Sequence, residues 1–237
     1  MKILAIETTT LAGGVALMDE EKLIAEHRLH VDARHAERVM VSIDQILNQG
    51  QTKVADLDAI AVSIGPGSFT GLRVGLSTAK GLAMGAGLPL VLVPTLEVMG
   101  AAFPFVKPIV APIIDARQAH VYWAVFDTAS GLLSRCLPDA ASSPALAIET
   151  IASSEHWATR DVLCVGDGAM KYREMISEKM GGRACFPGKA LQFPSAAHLA
   201  ELGIMRFLKG EVTSPELATP IYIRASAAEL KHAAAKT

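Results

Sequence analysis

The amino-acid sequence predicts an α/β protein made of two lobes, each with the element order βββαβα. Three observations carry that prediction. The chain of 237 residues is 51% hydrophobic and 19% charged, with mean hydropathy +0.33, so it has ample apolar material for a buried core and is not a disordered protein. Strand-like and helix-periodic runs follow one another in the same order twice. The halves also repeat their features at similar offsets: an acid ends a strand at Glu7 and at Asp115, 108 positions on, and a glycine turn joins strand to helix at Gly65 and at Gly166, 101 positions on.

The elements follow in order. Residues 2–7 and 13–18 read as strands around the turn-prone TTTLAG, and residues 23–31 supply a third strand. A helix over 33–48 follows from Ala36, Val39, Met40, Ile43, Ile46 and Leu47, which recur at spacings of three and four, with Gly50 as its stop. Residues 58–64 form a strand that runs into GPGSFTG, and a second long helix occupies 66–87. A strand at 90–93 and a helix at 95–102 complete the first lobe, residues 1–105, with Pro104 and Pro108 marking its boundary. The second lobe, 106–237, has expected strands at 109–115, 120–127, 132–137 and 162–166, and expected helices at 145–153 and from 169. A last helix over 195–209 is expected to pack on the second lobe, and the tail PELATPIYIRASAAELKH to cross back and fray at its end.

Composition limits the partners. With 22 Lys+Arg against 24 Asp+Glu there is no overall positive field to hold a polyanion, so any nucleic-acid contact must be local or borrowed. Cys136, Cys164 and Cys185 lie too far apart for a paired-cysteine zinc site and suggest reduced thiols. The apolar stretch after Lys2 is too short for a signal peptide, and the longest uncharged run, 81–96, falls short of the ~20 apolar residues that a membrane helix needs. A soluble cytoplasmic protein is expected.

Several groups could carry chemistry. The run Gly65-Pro66-Gly67-Ser68-Phe69-Thr70-Gly71 leaves backbone N–H groups at a helix start, where an anion could sit, but it lacks the spacing and lysine of a Walker loop. A tight strand-to-helix turn capped by Ser68 is the favoured reading over anion binding. Behind it Gly67, Gly71, Gly75, Ala79, Ala83 and Gly87 fall every four residues, with Ser77, Gly81 and Gly85 on a neighbouring row. Glycines at 71, 75, 81 and 85 sacrifice roughly 3–4 kcal/mol of helix propensity, which close approach of another backbone would offset. That backbone could belong to a partner or to the protein's own sheet. Glu7, Asp115 and Asp167 end strands, where ligands bind in open α/β sheets, yet acids there also close turns. His27 and His30 project to opposite faces of a strand, no H-x-x-x-H pair exists, and no G-x-S-x-G elbow is present.

Together AIETTT, SIGPGSFTGLRVGLSTAKGLA, IDAR, VGDGA and PIYIRASAAELK resemble the bacterial TsaB family, also called YeaZ, over almost the whole chain. The resemblance implies the duplicated actin/sugar kinase/Hsp70-like ATPase (ASKHA) fold and a place in making threonylcarbamoyladenosine in tRNAs that read A-starting codons. The catalytic sibling in that machinery, TsaD, carries an H-x-x-x-H metal pair soon after its second long helix. This chain reads PTLEVMGAAF there and has no histidine between His35 and His120. A non-catalytic scaffold or activator is therefore implied, with no metal and no required cofactor. Weak nucleotide binding at a vestigial site of Glu7, Gly65, Gly67, Asp115, Gly166 and Asp167 is the most it would retain. The implied partners are TsaD as a heterodimer, the ATPase TsaE, TsaC indirectly, a second copy of the chain in isolation, and tRNA only through the complex, with no membrane contact. Pairing with TsaD would use the first two long helices through His35, Val39, Met40, Ile43, Gly71, Leu72, Arg73, Gly75, Leu76, Ala79 and Lys80. On this reading Gly75→Leu and Val39→Glu leave a folded monomer that no longer associates. A small-molecule phosphotransferase and a metallopeptidase-like enzyme of the same fold remain alternatives.

Overall fold

The computed structural model describes residues 1–30 and 35–224, so the expected helix start at 33 and the fraying tail end lie outside the described residues. The chain begins with β1 (Lys2–Glu7), β2 (Ala12–Asp19), β3 (Leu23–His30), α1 (His35–Gln49), β4 (Ala59–Ser63), α2 (Phe69–Ala86), β5 (Leu90–Val93) and α3 (Thr95–Ala101). It continues with β6 (Ile109–Asp115), β7 (Val121–Asp127), β8 (Ser134–Ser142), α4 (Pro144–Ala152), β9 (Val162–Val165), α5 (Asp167–Lys171), α6 (Arg173–Met180), β10 (Ala184–Cys185) and α7 (Ala196–Leu208). Helix ends follow local chemistry. Ser68 caps α2 by accepting the Gly71 N–H at 3.3 Å, and Gly87 ends that helix in the left-handed region at φ +70.

Two five-stranded sheets share one topology. The first runs β3-β2-β1-β4-β5 and the second β10-β9-β6-β7-β8. In each, a three-strand antiparallel meander is extended by two parallel strands on its first member, as βββαβα requires. This is the duplicated two-lobe βββαβα architecture expected from the sequence. β10, the counterpart of β5, is only two residues long and carries no readable alternation, so the sequence pattern misses it. The helix expected from 169 is two helices, α5 and α6, that meet at Tyr172, and β8 runs on to Ser142 rather than ending at 137.

Strand alternation sorts the core into layers. Leu4, Ile6, Val15, Leu17, Ile60 and Val62 point to one face of the first sheet, where Val39, Ile43, Ile46 and Leu47 of α1 and Leu76, Ala79 and Ala83 of α2 cover them. Ile3, Ala5, Ala16, Ala59, Ala61 and Val91 point to the other face, beneath Ala196, Leu199, Ala200 and Ile204 of α7. The last helix thus packs on the first sheet, not the second as expected. Its periodicity marks an apolar side, and the small alanines of β1, β2 and β4 supply the flat surface that accepts it. The second sheet buries Ile109, Ala111, Ile113, Trp123 and Val125 under α4, α5 and α6. Its other face, with Val110, Ile114, Phe126 and Val165, meets Leu96 and Met99 of α3. Helices α3 and α7 touch each other, so they form the layer between the sheets. Glu97 of α3 ties that layer together by accepting from Arg206 of α7 at 2.5 Å and from Arg135 of β8 at 2.6 Å.

Candidate functional site

The expected site residues fall into three separate places. The first is Glu7 at the end of β1, which is 0% exposed. One carboxylate oxygen accepts from the Thr9 N–H at 2.7 Å and from its hydroxyl, and the other accepts from the Ser63 hydroxyl. Complete burial pushes this carboxyl above its ordinary range against the opposing pull of the Ser63 and Thr9 hydrogen bonds. Both oxygens are spent inside the protein. The group shapes the β1–β2 turn and has no side left to offer a ligand.

The GPG turn packs closely against its own chain at Thr9 and Ile221. The Ser68 N–H donates to Thr9 O at 2.7 Å, and the Leu72 N–H to Ser68 O at 2.8 Å. Gly65, at φ +111, donates no space either: a Cβ there would lie 2.7 Å from Ile221 O of the returning tail. The capped turn is the reading this geometry supports.

The bare row behind the turn has a definite partner, and it is internal. A Cβ on Gly67 would lie 2.3 Å from Thr9 O, one on Gly71 would lie 1.9 Å from Thr8 O, and one on Gly75 would lie 2.2 Å from the Thr8 hydroxyl. That hydroxyl donates to Gly71 O at 2.7 Å, so α2 and the β1–β2 turn are in backbone contact. The expectation that Gly71 and Gly75 meet a partner is corrected accordingly, and Gly75→Leu becomes a core defect. Val39, Ile43, Leu72, Leu76 and Ala79 are buried as well, so Val39→Glu would place a charge in the core. Sequence spacing identified a bare face correctly but could not say which surface it touched.

The neighbouring row is open. Nothing lies within 4 Å of a Cβ added at Gly81 or Gly85, and Ser77 is exposed beside them. Since α1 and α2 cover the same face of the first sheet, their other sides both look outward. On that outward side Met40 is 48% exposed, Val41 55% and Met84 60%. Arg73 is exposed and Lys80 partly so, while the side chain of His35 lies outside the described residues. Val41, Met84, Gly81 and Gly85 were not among the expected pairing residues. The signal for the glycines was present in the sequence, as the second small-residue row.

In the second lobe the structure does bring Asp115 and Asp167 together. Asp167 accepts from the Asp115 N–H at 2.9 Å and from the Gly168 N–H at 2.8 Å, and burial raises its carboxyl above the ordinary range. Asp115 pairs with Lys171 at 2.8 Å and accepts from the Arg117 N–H at 3.1 Å. Gly166, at φ +118, lets the GDG turn close on β6, where a Cβ would lie 2.2 Å from Ile113 O. Among the described residues no hydrogen bond joins these acids to Glu7. Beyond Asp115 the chain turns through Arg117, Gln118 and Ala119 at φ +60, +49 and +55, a left-handed run costing roughly 1–2 kcal/mol per residue. Sequence reading missed this turn, because none of its residues is a glycine.

Among the described residues no group of three or more His, Cys, Asp or Glu side chains is placed to hold a metal ion, and no helix is long and apolar enough to cross a membrane. Cys136, Cys164 and Cys185 are unbridged, and burial pushes the Cys164 thiol up to about 12.

Comparison with known proteins adds a family. A family profile described as "TsaD: tRNA N6-adenosine threonylcarbamoyltransferase" matches residues 29–232. The chain is 32% identical to the tRNA threonylcarbamoyladenosine biosynthesis protein TsaB of Bacillus subtilis, covering 98% of this chain and 97% of that protein. It is 33% identical to the protein of the same name from Escherichia coli, covering 94% and 95%. Among solved structures, YeaZ from Pseudomonas aeruginosa superposes with a TM-score of 0.78 at 28% identity, covering 93% of this chain and 99% of that one.

Proposed function

The chain belongs to the TsaB family of tRNA threonylcarbamoyladenosine biosynthesis proteins, and from that premise we propose that it is a non-catalytic subunit that docks a TsaD-type sibling on the outward face of α1 and α2. One observation carries the reading. That side exposes Met40 and Val41 of α1, Met84 of α2 and the open Ser77–Gly81–Gly85 row, which a second helix could approach more closely than the usual 8–10 Å. The internal use of the polar groups supports the non-catalytic part: Glu7 is sealed, Asp115 is neutralised by Lys171, and the GPG turn packs closely against its own chain. The sibling's H-x-x-x-H pair has no counterpart in this sequence. In this role the protein works in the cytoplasm without a cofactor, holds nucleotide weakly at most, engages TsaE as part of the complex and reaches tRNA through TsaD.

The test is co-purification with the TsaD-type protein of the same cell, followed by a binding titration. Met84→Arg puts an unpaired charge at the centre of the proposed contact and should weaken binding by about tenfold or more while leaving the monomer folded. Unchanged affinity in Met84→Arg and in Gly81→Leu would refute the docking face. Stoichiometric ATP binding by the lone chain, lost on Asp115→Ala, would favour the phosphotransferase instead.

A further inference from the structure

The tail after α7 does more than finish the chain. Thr213 exchanges two backbone hydrogen bonds with Leu90 of β5, at 2.8 and 2.9 Å. The Ile221 N–H then donates to Ile64 O at 2.7 Å, and the Tyr222 ring stacks on Phe69 at 4.8 Å between centroids. Arg73 lies on the same Phe69 ring, 3.9 Å from its centroid. Two residues on, the Arg224 guanidinium donates to Gln118 Oε1 at 3.1 Å, in the left-handed turn of the second lobe. Burial raises the half-buried Tyr122 phenol of β7, and the Arg224 charge opposes that rise.

We propose that residues 213–224 are a latch, anchored on the first lobe and catching the second at the turn 117–119. The attachments are asymmetric in the way a latch requires. On the first lobe the segment is held by backbone bonds and an aromatic stack, while on the second it is held by one exposed side-chain bond that solvent can replace. The catch itself is a strained segment. Three consecutive residues that are not glycine stay left-handed only while their surroundings hold them. Its internal holds are the Ala116 N–H to His120 O and the His120 N–H to Arg117 O, both at 3.0 Å, the Arg117 N–H to the Asp115 carboxylate at 3.1 Å, and the His120 ring against Gln118 O at 2.8 Å. Release of Arg224 therefore loosens the turn and removes a tie between the lobes. Because Tyr222 stacks on the first residue of α2, the same segment links the second lobe to the helix that carries the proposed docking face. The latch itself needs no partner protein, so its test is independent of that docking.

The test is amide hydrogen exchange on the full chain, read at Ala116 and His120. Arg224→Ala should speed exchange at both by about threefold to tenfold, the effect of losing one exposed charge-assisted bond. Tyr222→Ala touches only the first lobe, yet it should speed the same two amides, because it frees the segment that positions Arg224. The double variant should be no faster than the faster single, since both act through one attachment. Tyr222→Phe keeps the ring and should exchange like the unaltered protein. Exchange at Ala116 and His120 that ignores Tyr222→Ala, or single effects that multiply in the double variant, would overturn the latch.

Discussion

Replacing one glycine by alanine should have opposite effects on the two faces of α2. At Gly71 the new Cβ would sit 1.9 Å from Thr8 O, so the turn must retreat by about 1.5 Å to reach ordinary contact at 3.4 Å. Overpacking of this kind costs about 1–3 kcal/mol. The retreat also pulls the Thr8 hydroxyl from Gly71 O, its 2.7 Å partner, and leaving that buried pair unsatisfied adds about 1–3 kcal/mol. Alanine returns only about 0.8–1 kcal/mol of helix propensity. The net effect expected for Gly71→Ala is a loss of about 1–5 kcal/mol, at about 2–4 °C of Tm per kcal/mol for a chain of this size. At Gly81 nothing lies within 4 Å of the added Cβ, so the propensity gain stands alone and Tm should rise by about 2–4 °C. Thermal unfolding by circular dichroism of the two variants, side by side, reads both signs. A Gly71→Ala protein that melts with or above the unaltered chain, or a Gly81→Ala protein that melts below it, would refute this placement of the two rows.

Other outcomes follow from the same geometry. Since burial raises the folded-state pKa of Glu7, the native state holds its proton more tightly than the unfolded chain does. Stability should therefore fall as pH rises from the unfolded value of 4.5 through the raised folded value. Glu7→Gln should remove that dependence, so a Tm difference between Glu7→Gln and the unaltered protein that stays constant from acid to neutral pH would contradict it. Val39→Glu, at 6% exposure, should lower stability sharply in a urea titration, while Met40→Glu, at 48%, should leave the midpoint nearly unmoved. Glu97→Gln leaves Arg135 and Arg206 without their shared carboxylate and should cost about 1–3 kcal/mol, less than a fully buried pair because both arginines keep some solvent access. An unchanged urea midpoint for Glu97→Gln would show that this carboxylate does not bind the inter-sheet layer.

The sequence by itself determined the parts whose cause is local. Strand-like runs placed β1 to β7 and β9 to within a few residues and found β8 while ending it short of Ser142, apolar spacing placed α1 and α7, Ser68 announced the start of α2, and the repeated order of elements disclosed two like lobes. The run GPGSFTGLRVG is dense in glycine where Gly67, Gly71 and Gly75 lie close against Thr8 and Thr9. What only the tertiary structure decided is what each face touches. The Gly67–Gly71–Gly75 row and the Ser77–Gly81–Gly85 row have the same period, and nothing local tells which of them lies on Thr8 and which lies open. The apolar side of α7 likewise fits either sheet by period alone. The alanines of β1, β2 and β4, more than 130 residues away, settle it. Glu7 reads as a candidate ligand from its place at a strand end, until burial and its bonds to Thr9 and Ser63 make it a structural group. Arg224 and Gln118 stand 106 positions apart and meet only because the tail returns to the first sheet. Periodicity records which side chains share a surface, whereas the neighbour of that surface is set by long-range packing that no short stretch of sequence contains.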